Sequence, residues 1–161
     1  MKEGPQFMAT FSHPLAPGHR FCWQVPLYEI DMGQAVYHGN YYHFFEMARE
    51  ALLRAQGFGY PELVAREMHL AVVEAHCRYR RPVRYNDAIE IYTTISALKT
   101  RGVSFHQRLF LSLTGELATE VHLHTVCISF AGRPVPLPPE LRQRLAALLI
   151  SPETPKQPTE G

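Results

Sequence analysis

Net charge is almost absent from this chain: sixteen Lys and Arg stand against fifteen Asp and Glu, which leaves +1 on 161 residues. Such a chain has no global field to gather nucleic acid or an anionic membrane surface, and its aromatic residues are not interleaved with a basic stripe. No nucleic-acid partner is expected. Cysteine is scarce as well. Cys22, Cys77 and Cys127 are odd in number, widely spaced and without a CxxC pair, which argues against a disulfide framework and a zinc ribbon. A reduced cytoplasm is the simplest setting. Long apolar runs are missing too: no stretch approaches the length of a bilayer span, and the first eighteen residues lack a continuous apolar core. Neither membrane insertion nor export is expected.

What remains is ordinary globular material, 46% hydrophobic and 19% charged, long enough for one domain with a sizeable core. Residues 1–18 read as a flexible leader, 19–150 as the single domain and 151–161 as a flexible tail. There is no internal repeat.

Apolar residues at Tyr41, Phe44, Phe45, Ala48, Leu52 and Ala55 keep the i, i+3, i+4, i+7 spacing of one helical face. The spacing predicts a helix of roughly four turns that opens near His38 or Asn40, with Asn40 as N-cap and Gly57 as stop. A short second helix is expected over Tyr60 to Arg66, with Pro61 in its first turn. Then the period drops to two. Residues 69–80, 88–98, 102–113 and 116–130 alternate as strands, and a further strand ends near Tyr28, where Pro26 requires an edge position or a bulge. Lys99 to Gly102 and Thr114-Gly115 are breaks short enough for hairpins. Leu141, Leu145, Leu148 and Leu149 predict a C-terminal helix after Pro138-Pro139. One long helix followed by a run of strands indicates an α+β fold in which a five-stranded antiparallel sheet covers the helix.

Chemistry concentrates between the first strand and that helix. Asp31 is an isolated carboxylate in a short loop, and the helix that follows begins with N–H groups that have no intrahelical acceptor. An acid beside free backbone donors suits attack on a carbonyl whose developing oxyanion needs support. Taken alone, an Asp before a helix is more often a turn or capping residue. Tyr41 and Phe45 read as core, with contact to a ligand as the alternative for both, and Glu46 and Arg49 as an ion pair along one helix. Lys99 and Arg101 flank Thr100 in a tight turn, either as solvated charge or as contacts for phosphate. Arg78, Arg80, Arg81 and Arg84 form a second basic group that reads as a phosphate patch, a solvated face or a subunit contact. His122 and His124 share a strand face, but no nearby Cys or carboxylate completes a zinc-like spacing, so no metal is expected.

Asp31, Val36-Tyr37-His38, Asn40-Tyr41 and Phe45-Glu46-Met47-Ala48-Arg49 together resemble the signature of the 4-hydroxybenzoyl-CoA thioesterase family of hot-dog-fold proteins, in particular its Tol-Pal-associated acyl-CoA thioesterase branch. Tyr79-Arg80-Arg81-Pro82-Val83 resembles the run into that family's third strand, and the likeness extends from about His19 to Pro139. In that family an aspartate precedes by seven residues the position whose N–H polarises the thioester carbonyl, as Asp31 precedes His38. The resemblance implies a sheet wrapped around a long central helix and an acyl-CoA thioesterase. It implies Asp31 as nucleophile or general base, and the His38 backbone N–H as the polarising donor. Met32, Gly33, Tyr37, Gly39 and Tyr41 would contact substrate, and Lys99 and Arg101 the phosphates of coenzyme A. It implies no cofactor beyond the coenzyme A of the substrate, and a homodimer or homotetramer with the site at a subunit boundary. Two alternatives stand beside it: acyl groups carried by acyl carrier protein, or a noncatalytic acyl-CoA-binding module. Glu29-Ile30-Asp31-Met32 departs from the family's Asp-Thr-Asp followed by small residues, which leaves acyl preference open, with Met32 and Gln34 as its expected determinants.

Overall fold

In the computed structural model, residues 13–150 are described. The expected tail and the first twelve residues of the expected leader lie outside them. The chain passes through β1 (His19–Gln24), α1 (Tyr41–Ala55), α2 (Tyr60–Ala65), β2 (Met68–Tyr79), β3 (Ala88–Leu98), β4 (Gly102–Leu111), β5 (Leu117–Ser129) and α3 (Pro139–Ala146). All the strand pairs are antiparallel, in the order β1-β3-β4-β5-β2. This is the expected α+β arrangement of one sheet over one long helix.

The helix face drives the assembly. Phe44, Phe45, Ala48 and Leu52 are fully buried in one cluster with Ile89, Ile91, Ile95, Phe105, Leu109, Val121 and Leu123. Burial of each large side chain is worth about 1.5–3 kcal/mol, so this seam outweighs any preference of the helix as an isolated peptide. One polar group crosses it: Gln107 of β4 donates through Nε2 to Phe45 O at 2.9 Å and to Thr93 Oγ1 at 3.0 Å. Along the last turn of α1 the buried stripe shifts, so that Leu53 is buried and Ala55 exposed. The cause is α2, which returns along that side and walls a cavity shared by Leu53 and Leu63.

Several boundaries differ from expectation for physical reasons. β1 ends at Gln24, before Pro26, and Tyr28 sits in a 3-10 turn over Leu27–Glu29. Pro26 has no N–H to continue a ladder, so the chain leaves the sheet there rather than forming a bulge. Asn40 does not cap. It has helical angles (φ −76°, ψ −15°) within a 3-10 turn over His38–Asn40, and its Nδ2 donates to Glu29 O at 3.3 Å. β4 stops at Leu111 because the next turn, closed by Gly115 N–H to Leu111 O at 2.8 Å, begins sooner than the alternation suggests. α3 ends at Ala146, so only Leu141 and Leu145 are buried, while Ile150 N–H bonds Ile95 O at 3.0 Å.

Residues 13–18, the described part of the expected leader, lie on the outer face of β3. Leu15 N–H donates to the Tyr92 hydroxyl at 3.2 Å, and Ala16 is buried with Tyr92 and Phe110. Gly18 takes φ 115°, and a Cβ there would stand 2.5 Å from Thr93 O, so only glycine lets the chain enter β1 this closely. Among the described residues no helix is long and apolar enough to cross a membrane.

Candidate active site

The Asp31 loop closes on itself. Ile30 bridges to Val36, Asp31 N–H donates to Ala35 O at 3.0 Å, and Gln34, in the left-handed region at φ 62°, donates its N–H to Asp31 O at 3.0 Å. Gly33 N–H donates to Asp31 Oδ1 at 2.7 Å, the Asx-type contact that a short acid makes two residues ahead. One carboxylate oxygen is thereby held and the other is left toward solvent. A side chain at Gly33 would press on the held oxygen, since its Cβ would stand 3.0 Å away.

The loop is fastened at three places. Val36 N–H donates to Val83 O at 2.8 Å, Tyr37 N–H to Glu29 O at 3.0 Å, and Arg84 reaches from the β2–β3 connection to Gln34 O at 3.2 Å. Beneath it Glu29 is buried, with its carboxylate oxygens 3.1 and 3.2 Å from His43 Nδ1 on α1. That contact ties the loop to the helix. The longer acid that departs from the family pattern is thus the one that spans to His43.

His38 opens the 3-10 turn that leads into α1, and among the described residues neither its N–H nor that of Gly39 has an acceptor. Both add to the positive end of the helix. The carbonyl of His38 accepts the Tyr79 hydroxyl at 2.6 Å. Burial, seconded by the Cys77 side chain, raises the Tyr79 pKa, so the phenol remains a donor at neutral pH. A cavity of about 330 Å³ opens here, walled by Val36, His38, Tyr41, Tyr79, Arg80 and Arg81. Positive dipoles face this space and suit an oxygen that gains negative charge; Arg80 and Arg81 border it, with their guanidinium groups 2.9 Å from Glu120 and 3.8 Å from Glu116.

The expected residues are only partly brought together. Asp31, Met32 and Gly33 are exposed at the loop, with Met32 at full exposure, and Tyr37 sets its ring 4.2 Å from that of His38, tilted by 41°. Gly39 lies under the Tyr37 ring. Tyr41 is chiefly core: it is buried, its hydroxyl accepts Val83 N–H at 3.3 Å, and only an edge reaches the cavity. Lys99 and Arg101 stand elsewhere. They border a separate cavity of about 460 Å³ with Glu74, Ser104 and His124, at the opposite end of the strands. Tyr79 pairs with Thr119 and Val103 with Thr125, so the two ends are six strand residues apart along β5, about 20 Å.

Two further readings change. Arg49 does not rely on Glu46, because its guanidinium donates to Gln107 Oε1 at 2.9 Å, a partner 58 positions away that the sheet brings under the helix. Burial lowers the Arg49 pKa, against the opposing charge of Glu46. The basic group divides its work: Arg84 clamps the loop, and Arg80 pairs with Glu120 at 2.9 Å. Tyr79 and the Glu29 to His43 contact are the parts sequence reasoning missed. Neither has a spacing signal, since 41 and 14 positions separate the partners.

Residues 25–145 match the thioesterase-like superfamily. The acyl-CoA thioester hydrolase YbgC of Escherichia coli is 32% identical over 110 residues, which cover 67% of this chain and 81% of that protein. The acyl-CoA thioesterase YbgC of Haemophilus influenzae is 28% identical over 127 residues, 78% of this chain and 92% of that protein. Among solved structures, a hypothetical protein from Thermus thermophilus superposes with a TM-score of 0.76 at 26% identity, covering 81% of this chain and 98% of that one.

The turn at His38 depends on the Tyr79 hydroxyl, so Tyr79→Phe should lower unfolding free energy by about 0.5–1 kcal/mol, the low end because the tyrosine is half exposed. Urea denaturation measures that loss, and amide exchange at His38 to Tyr41 should quicken with it. Unchanged exchange there would show that the hydroxyl does not hold the turn.

Proposed function

The chain belongs to the thioesterase-like superfamily, and from that premise we propose that it hydrolyses an acyl-CoA, releasing a carboxylic acid and free coenzyme A. It is a thioester hydrolase. The observation that supports the catalytic assignment is the loop carboxylate of Asp31, with one oxygen held and one open, set seven and eight residues before the free N–H groups of His38 and Gly39. The thioester carbonyl accepts from those N–H groups. Two routes then balance. In one, Asp31 attacks the carbonyl carbon, the C–S bond breaks, the thiolate takes a proton from water, and the hydroxide so formed opens the anhydride, releasing the acid and restoring the Asp31 carboxylate. In the other, Asp31 takes a proton from a water that attacks directly, and the departing thiolate receives it. Carboxylate, water and N–H donors complete either route, so coenzyme A enters only as part of substrate and product.

The Asp31 to His38 motif supports a finer placement in the 4-hydroxybenzoyl-CoA thioesterase family near its Tol-Pal-associated branch, in a cytoplasmic setting. Arg80 and Arg81 at the cavity rim favour a phosphate-bearing donor, and the same charges suit the acidic surface of an acyl carrier protein. Parallel assays on both donors separate these.

The edge strand β2 supports a second copy of the chain as part of the enzyme. It is twelve residues long, and from Val72 to His76 it is exposed on both faces. Such an edge invites pairing. Leu27, Tyr28 and Met32 add apolar surface near the loop. Antiparallel pairing of two β2 strands about a twofold axis turns the Lys99 to Arg101 hairpin of the second copy to the same end of the joined sheet as Asp31. The phosphate contacts that one chain holds about 20 Å from its own cavity would then serve its neighbour's, in a homodimer that also admits pairing into a homotetramer.

Light scattering at micromolar concentration should therefore give a dimer or tetramer. A monodisperse monomer with full activity would rule out the shared site. Replacing Lys99 and Arg101 together with Ala should raise KM for acyl-CoA by about tenfold, from two exposed charge contacts of up to about 1 kcal/mol each, with kcat little changed and salt sensitivity reduced. A thioester lacking the nucleotide should not respond, and equal loss on both substrates would assign the turn to folding. Asp31→Asn keeps shape but removes the charge and the proton acceptor, so kcat should fall by at least about 100-fold. Affinity for a nonhydrolysable analogue should change by less than about tenfold, and His38→Ala should be milder because it retains the main-chain donor. A folded Asp31→Asn protein with most of the wild-type kcat would make Asp31 a structural turn residue.

A further inference from the structure

The outer face of the sheet, opposite α1, presents an ordered block of polar side chains. Cross-strand pairing sets Ser104, His124 and Glu74 in one row, His106, His122 and His76 in the next, and Arg108, Glu120 and Arg78 in a third, over β4, β5 and β2. The histidine row is the unusual one. The rings of His106 and His122 stack in parallel, with centroids 4.2 Å apart and planes 6° from coincidence. Glu120, one row along, turns Oε1 toward both: it stands 2.9 Å from His106 Nε2 and 3.6 Å from His122 Nε2. One donor atom from each of the three residues lies within 4.8 Å of the others.

From this convergence we propose a divalent transition-metal site, suited to zinc, formed by His106, His122 and Glu120. Two imidazoles and one carboxylate are a donor set that zinc takes while keeping its fourth position for water. Sequence spacing gives only part of it: Glu120 and His122 share a strand face two positions apart, but His106 lies on another strand, and His124 turns instead to Ser104 Oγ at 2.6 Å. The sheet supplies the other two donors, one from the neighbouring strand and one from two positions along β5. Glu120 is also oriented from behind, with Oε2 2.9 Å from an Arg80 guanidinium nitrogen, the kind of outer partner that fixes a ligating carboxylate. Arg80 also brings a positive charge near the site, which Glu120 partly offsets. His122 is half exposed, so an ion can enter from solvent, and His76 at the paired position of β2 shares the face as a further imidazole. Binding needs a bare His106 Nε2, so in the tautomer that donates to Glu120 the ring proton moves to Nδ1. The rival for the same geometry is a closed ion-pair network of Arg80, Glu120 and His106 that never takes a metal.

Calorimetric titration of zinc chloride into the chelator-treated, tag-free full chain separates the two. The proposal expects one zinc per chain, and a joint His106→Ala and His122→Ala replacement should weaken binding by more than about 100-fold, beyond the loss that outer partners alone produce. Glu120→Gln keeps size and should weaken it by at least about tenfold, which guards against misfolding of the double variant. In the wild type, zinc should also shift the ring resonances of His106 and His122. Absence of saturable binding would overturn the site. So would zinc binding that is unchanged in Glu120→Gln and in the double variant, or that is lost only when Cys22 is replaced by Ser.

Discussion

Everything functional in this chain hangs on the burial of one aromatic helix face. Phe44, Phe45, Ala48 and Leu52 have no exposure to spare, and each strand of the curved sheet contributes to covering them. With several large side chains at about 1.5–3 kcal/mol each, the seam fixes the depth and direction of α1. The position of its N-terminus follows. Gln107 adds direction to a contact that hydrophobic burial alone leaves free to slide, because its amide satisfies Phe45 O and Thr93 at once while accepting from Arg49. A buried amide with these partners tolerates only one register.

The site is assembled at the rim of that seam from short-range pieces. The loop folds on its own hydrogen bonds, Glu29 and Arg84 tie it from below and from the side, and Tyr79 holds the carbonyl of His38. None of these groups needs to touch a reacting atom. They fix where the Asp31 carboxylate stands relative to the free N–H groups, and preorganisation of this kind counts for more than the identity of the acid. The cost is exposure: Asp31 and Met32 stand in solvent.

The two faces of the sheet divide the remaining roles by strand alternation. Inward residues are chiefly apolar and belong to the seam, with Gln107 and Thr93 as paired polar exceptions. Outward residues on β3 are covered by residues 13–18, where Glu90 is buried against Arg20 at 2.6 Å and against the Tyr92 hydroxyl at 2.9 Å. Apart from Phe110, which packs with Ala16, the outward residues on β4, β5 and β2 have no such cover among the described residues, and there the histidine row lies open. One alternating pattern thus yields a core, a covered polar layer and an exposed donor cluster.

How much of this was readable beforehand follows from the range of each interaction. The helix stripe, the four later strands, the hairpins and the Asp31 to His38 interval are local, and periodicity with turn chemistry is enough to locate them. The exceptions are local too, where a rule yielded to a neighbour: Pro26 ended β1 early, and Asn40 turned its amide to Glu29 instead of capping α1. Contacts between residues far apart in the chain were not legible. Arg49 finds Gln107 rather than Glu46, Tyr79 finds His38, Lys99 and Arg101 fall at the far end of the strands, and His106 meets Glu120 across the sheet. By itself the sequence determined which segments bury and which residues carry chemistry, since both depend on side-chain type at short spacing. Which of those residues meet was decided by the tertiary structure, because cross-strand register and the crossing of helix over sheet are set by the whole core at once.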